Sequence, residues 1–393
     1  MSLNKTGVLK IINGRILTDK VEHDKNLYVK DGKIFAITDE NIDCDEIFDA
    51  KGGYVSPGFI DLHLHGGDGV WFAGSETEEI IAGSRVHLRH GTTTMTPSTS
   101  STAHEVLLST IESVRKLMDY DGGDIPHIAG VHLEGPYFSP IQCGAQTKTY
   151  ITPPVKKDYE DIIERGRGVV KRWSFAPELE GSVEFCNTLV KNGIIPSIGH
   201  TNCVYEDVLR VYDKGCKMMT HFYSGMSMLT RRDGFRILGA VESGYLLDDM
   251  TVEVIADGRH LPPELLKLIY KVKGPEHICL VTDAIRVAGM EGLSGIVPSG
   301  KHNEQILIED DVAKMLDRKN FAGSIATTDR LVRTMHKAVG IDIINSVKMA
   351  TETPAKIMGI SNKGKLKEGY DADIVIFNDN VEVSDVFLMG NHI

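Results

Sequence analysis

The chain has 393 residues, with 43 Lys and Arg against 55 Asp and Glu, a formal charge of −12. At 41 % hydrophobic and 25 % charged residues it has the balance of an ordinary soluble globular protein, long enough for one (β/α)8 barrel with something attached. An acidic chain without a Lys/Arg run excludes nucleic acid as a partner, and no apolar run approaches the roughly 18 residues of a membrane helix, so no membrane partner is expected.

In chain order, the first 55 or so residues carry short strand candidates, VLKIINGRIL, KNLYVKDGKIFAI and EIFDAKGGYVSPG, broken by Asn-Gly and Asp-Gly turns. The opening segment lacks the apolar stretch of a secretory signal, and the six cysteines form no CxxC pair. A reduced, cytoplasmic protein is the expectation. The chain ends on similar strands, GKLKEGYDADIVIFNDN and VSDVFLMGNHI. Neither end holds enough strand for its own core, so the two are expected to share one small β-sandwich, residues 1–57 and 358–393, around an inserted unit over 58–357.

That inserted unit alternates. Eight apolar strands are expected at GFIDLHLHG, GTTTMTPS, HIAGVHLEG, KRWSFAPE, IIPSIGHT, KMMTHFYSG, TVEVIADG and HICLVTDA, with amphipathic helices between most of them. The first helix is expected to open on a capping box of Ser75 and Glu78, the second on Thr102 and Glu105. Eightfold alternation predicts a (β/α)8 barrel. Residues 284–322, Gly-rich and without a helical period, read as a long excursion of the kind that serves as a lid.

In such a barrel the active site lies at the C-terminal ends of the strands. Those ends carry His63 and His65, His132 and Glu134, His200, His221, Asp257 and His260, and Asp283. Any one of these has an ordinary structural reading, as a surface histidine, a hydrogen-bonded core imidazole or a turn-capping carboxylate. Together they put an imidazole or carboxylate on six of eight strands at one rim. Imidazole and carboxylate without thiolate suit Zn²⁺, Fe²⁺ or Mn²⁺, and such an ion makes water a usable nucleophile at neutral pH. A metal-assisted hydrolase is expected.

HLHG, HLEGPYF, GHT, THFYSGM, ADGRH and VTDA, in this order, resemble the amidohydrolase superfamily and, within it, the N-acetylglucosamine-6-phosphate deacetylases. The resemblance spans nearly the whole chain. It implies that Glu134, His200 and His221 are metal ligands, that His63 and His65 hold a second ion where one is present, and that Asp283 is the catalytic acid/base. It implies that His260 contacts the acetamido group, that Phe321, Ala322 and Gly323 line the sugar pocket, and that Arg232 binds phosphate from the neighbouring subunit of a homodimer. One or two divalent ions per chain and a phosphorylated N-acetyl amino sugar as substrate follow from it. Where the family has Gly-Ala-His after HLEGP this chain has Gly144-Ala145-Gln146, and where it has Asn-Ala-Met this chain has Ser224-Gly225-Met226. Ala145, Gln146, Ser224 and Gly225 are thus candidate substrate contacts, with an N-acetylgalactosamine-6-phosphate or another N-acyl compound open as the substrate. A cyclic amidohydrolase, which would want a lysine at the strand-four rim where Lys171 does not fall, and a barrel scaffold without catalysis are the other readings.

Overall fold

A computed structural model describes residues 7–299 and 305–393. Eight parallel strands form the centre: β1 (Phe59–Leu64), β2 (Thr92–Pro97), β3 (Val131–Glu134), β4 (Val170–Phe175), β5 (Ile195–Ile198), β6 (Met218–Met219), β7 (Thr251–Val254) and β8 (Ile278–Leu280). Each pairs with its sequence neighbour, the β2–β3 contact being a bridge between Ser98 and His132. A parallel bridge from Leu64 to Ala284 joins the first strand to the end of the last and closes the ring. The fold is the TIM-like α/β barrel with a strand-rich second unit.

Strand alternation sets what faces inward. On β4, Trp173 packs outward against Phe185 of the helix Ser182–Lys191, at 5.0 Å between ring centroids, so Arg172 and Ser174 face the barrel axis. On β1 the same alternation turns Asp61 and His63 inward. The outer helices bury one stripe each, but the first two start differently from the expectation. The helix Thr77–Arg89 is capped one residue later than expected, with Glu79 accepting the Glu76 N–H at 3.0 Å, and the helix His104–Met118 follows Ala103 with no side-chain cap. A reciprocal Glu-x-x-Glu pair thus does one residue on what the Ser75–Glu78 box was expected to do, meeting orphan N–H groups of the first turn.

The strand-rich unit draws on both ends of the chain. Tyr54–Pro57 pairs antiparallel with Ile374–Phe377 and parallel with Arg15–Leu17, while Val8–Ile12, Asn26–Lys30, Lys33–Thr38 and Glu46–Asp49 form the facing sheet. Leu27, Val29, Val55, Ile374 and Phe387 fill the space between.

The excursion after β8 is more ordered than its composition indicates. Among the described residues it forms a three-stranded antiparallel sheet, Gly295–Pro298, Gln305–Glu309 and Val312–Met315. Ile306, Ile308 and Ala313 pack on Ile285 and Val287, and the turn that follows returns residues 318–323 to the barrel mouth. No described helix is long and apolar enough to cross a membrane.

Candidate metal centre and active site

A cavity of about 280 Å³ opens at the C-terminal rim, and its walls include His65, Glu134, His200, His221, His260 and Asp283. Three of the residues that reach this mouth sit in backbone conformations L-residues rarely adopt: His200 at φ 45°, His221 at φ 27° and Asp283 at φ 49°. Left-handed turns at the strand ends swing these side chains over the axis, and strain of this kind concentrates at functional sites.

Glu134 is the hub. Its Oε1 lies 3.1 Å from His200 Nε2 and 3.0 Å from His221 Nε2, and the two nitrogens are 3.1 Å apart. His200 Nδ1 donates to the Gln142 carbonyl at 2.9 Å, and His221 Nδ1 to the Ser224 carbonyl at 3.1 Å. A carbonyl only accepts, so Nδ1 of each ring is protonated, and each ring when neutral turns its Nε2 lone pair toward Glu134. With both rings neutral, three acceptor atoms thus converge on one point. A cation satisfies that arrangement.

A second cluster adjoins the first. His63 Nε2 and His65 Nε2 are 3.2 Å apart, His65 Nε2 is 3.4 Å from Glu134 Oε2, and Asp283 Oδ1 lies 3.0 Å from His65 and 3.6 Å from His63. Glu134 therefore offers one oxygen to each cluster, and every atom set lies within 4.8 Å. Buried nitrogen and carboxylate donors in this arrangement are compatible with a divalent metal site.

Electrostatics agree with a site built for positive charge. Burial raises the Glu134 carboxyl, but hydrogen bonds to His200 and His221 and the charges of His63 and His65 hold it well below the usual carboxylate range. Burial likewise opposes ionisation of Asp283, yet the His65 hydrogen bond and the two imidazoles bring it down to about 2. His221 moves the other way. Burial disfavours its cation, but the Glu134 hydrogen bond and the surrounding carboxylates push it up to about 9.

Of the other expected residues, Ala145, Gln146, Ser224, Gly225, His260, Phe321, Ala322 and Gly323 all line the cavity. His260 is held by Asp257, whose Oδ2 accepts from Nδ1 at 2.8 Å, and its ring stands 4.6 Å from that of Phe321. Gln146 turns inward: its Nε2 donates to Glu134 Oε2 at 2.6 Å and its Oε1 accepts from the Ser101 N–H at 2.7 Å. Arg232 is not brought to this cavity. It lies on an exposed hairpin, Thr230–Arg232 with Phe235–Ile237. His132 sits between the Ser98 and Ser174 hydroxyls, at 3.0 and 2.7 Å, and belongs to neither cluster.

Sequence reasoning missed two groups. Arg318 and Lys319 reach the cavity mouth on the turn after the excursion sheet. Arg172 and Glu253 form a fully buried ion pair next to the two clusters. Opposite charges inside two apolar strands, KRWSFA and TVEVIA, were the available signal.

The Amidohydrolase family model matches residues 54–393. The chain is 28 % identical over 377 residues to an N-acetylglucosamine-6-phosphate deacetylase of Lysinibacillus sphaericus, covering 94 % of this chain and 93 % of that one. It is 29 % identical to an N-acetylgalactosamine-6-phosphate deacetylase of Shewanella sp. (strain ANA-3), covering 86 % and 82 %. Among solved structures, the N-acetylglucosamine-6-phosphate deacetylase of Pasteurella multocida superposes with a TM-score of 0.89 at 26 % identity, covering 98 % of this chain and 99 % of that one.

Proposed function

The chain belongs to the amidohydrolase family, and from that membership we infer that it is a metal-dependent deacetylase, which hydrolyses the acetamide of N-acetylglucosamine-6-phosphate to acetate and the free amine. The single observation that carries the reading is the convergence of His200 Nε2, His221 Nε2 and Glu134 Oε1 within about 3 Å, with Nδ1 of both rings turned away onto backbone carbonyls.

Glu134, His200 and His221 would hold one divalent ion, Zn²⁺, Fe²⁺ or Mn²⁺, and His63 and His65, sharing Glu134, a second. A bound ion supplies Lewis acidity at the acetamide carbonyl and makes water nucleophilic at neutral pH. Asp283, ionised and beside His65, accepts a proton from the attacking water. The new C–O bond forms, and as the C–N bond breaks Asp283 returns that proton to the leaving nitrogen. His260, its Nδ1 tied to Asp257, keeps Nε2 for the acetamide oxygen. Phe321, Ala322 and Gly323 form the sugar wall, and Ala145 and Gln146 line the same cavity.

For the phosphate, backbone groups of Ser224 and Gly225 at the cavity wall act with Arg232. The Arg232 hairpin is exposed and outside its own cavity, which supports a homodimer in which it reaches the neighbouring subunit's site. A cytoplasmic location is the reading supported by six cysteines scattered without a CxxC pair. N-acetylgalactosamine-6-phosphate is the second reading, favoured by the Shewanella relative and by a Gln146 amide whose two ends are already engaged. A screen of N-acetylated sugars with and without 6-phosphate, read as amine release, tests both. Turnover restricted to the phosphorylated compounds is expected, with the gluco sugar preferred. Equal turnover with and without phosphate would remove the phosphate site.

A further inference from the structure

Below the ligand clusters, the barrel axis holds a charged pair that the chemistry above does not use. Glu253 on β7 and Arg172 on β4 are both fully buried and ion-paired, flanked on their own strands by Val252, Val254 and Trp173. Burying an ion pair in a barrel core seldom adds stability over well-packed apolar residues. The partners of this pair indicate another use.

Glu253 Oε2 lies 3.1 Å from His63 Nδ1, and the same oxygen accepts the backbone N–H of His221 at 3.0 Å. Arg172 grips the Glu253 carboxylate from the other side. It also donates to the Leu62 carbonyl at 3.3 Å and to the Thr220 hydroxyl at 3.2 Å, the residues that precede His63 and His221. One carboxylate oxygen thus touches a member of each ligand cluster. Because a carboxylate only accepts, His63 must carry its proton on Nδ1, which leaves the Nε2 lone pair for the His65 and Glu134 side. The second bond holds His221 in its left-handed turn, at φ 27°. Without it nothing else on β7 would tie that strained residue to the sheet through its N–H.

Resting on the metal-dependent reading above, we propose that Glu253, braced by Arg172, is a positioning residue shared by both ligand clusters, orienting the His63 ring and the His221 backbone through one oxygen. Outer partners of metal-ligating histidines typically contribute about 10- to 100-fold to metal affinity. Here a single residue should exert that effect on both subsites at once.

The test replaces the pair together, so that no unpaired buried charge is left. Arg172→Met with Glu253→Leu keeps volume and removes both bonds, and apolar replacement of a buried pair often leaves a protein folded. Co²⁺ binding to the metal-free protein is followed by equilibrium dialysis. Wild type should bind two equivalents, and in the double variant both dissociation constants should rise by about 10- to 100-fold. Arg172→Met with Glu253→Gln keeps an acceptor oxygen and should recover most of the loss. Weakening of only one equivalent, or of neither, overturns the shared role. No Co²⁺ uptake by wild type would instead overturn the metal-dependent reading. A readout that needs no variant is the ¹⁵N ring shifts of the metal-free wild type. His63 should be the Nδ1–H tautomer, and an Nε2–H His63 refutes the assignment even where a variant does not fold.

Discussion

His65 Nε2 lies 3.0 Å from Asp283 Oδ1, and against the cost of burial that contact and the neighbouring imidazoles bring the aspartate carboxyl down to about 2. A base so placed is ready to take a proton throughout the neutral range. Asp283→Asn preserves shape but cannot accept the proton, and general acid–base groups contribute about 10²–10⁴-fold. We predict a fall in kcat of that size with metal content at Glu134, His200 and His221 unchanged by elemental analysis. A loss below tenfold would take Asp283 out of the proton transfer.

Metal uptake should release a proton near neutrality. Burial disfavours the His221 cation, but Glu134 and the nearby carboxylates push it up to about 9 in the metal-free protein. Its folded value is raised, so its contribution to metal-free stability is full below the ordinary pKa of about 6.5 and lost as pH rises through about 9. Ligation requires the neutral ring. Calorimetric titration with Zn²⁺ at pH 7.5, in buffers of different ionisation heat, should show net proton release that fades above pH 9. An uptake without released protons at pH 7.5 would contradict this.

Much of the site was legible from the sequence because barrel topology sends every strand end to one rim. The positions of His63, His65, Glu134, His200, His221 and Asp283 at strand–turn junctions are enough to place them at one mouth. Arg172 and Glu253 were not legible. Their meeting depends on closure of the ring between β4 and β7, and a charge within an apolar strand does not announce which face it takes. The excursion sheet was missed for another reason. Gly295–Pro298 is mostly exposed, and its partner Gln305–Glu309 buries three apolar residues in a row, so neither strand shows an alternation. The Ser75 cap was displaced by one residue because Glu76 and Glu79 stand at the same spacing as Ser75 and Glu78 and form the box one position on.

Gln146 acts on Glu134 more directly than on the sugar. Its amide bridges Glu134 Oε2 and the Ser101 N–H at 2.6 and 2.7 Å. Gln146→Ala should therefore lower kcat and metal retention by about tenfold or more, the scale of outer-partner effects, while KM stays within about twofold. A rise in KM with kcat intact would assign Gln146 to sugar binding instead.

Arg232 offers a guanidinium fork suited to phosphate oxygens. Arg232→Ala should raise KM for the phosphorylated sugar by about tenfold or more, the worth of a charge-assisted bond, and leave kcat nearly unchanged. If Arg232 acts across a dimer, mixing Arg232→Ala subunits with Asp283→Asn subunits restores part of the activity. Equal KM in variant and wild type would leave the hairpin without a role at the phosphate.

The central claim is amide hydrolysis of a phosphorylated amino sugar at the Glu134–His200–His221 centre. The most direct measurement incubates N-acetylglucosamine-6-phosphate with metal-stripped and then metal-reloaded protein, quantifying acetate and free amine together. Equal amounts of both products, formed only after reloading, are expected. Intact substrate after reloading with Zn²⁺, Fe²⁺ and Mn²⁺ in turn, or undiminished turnover by the stripped protein, would contradict it.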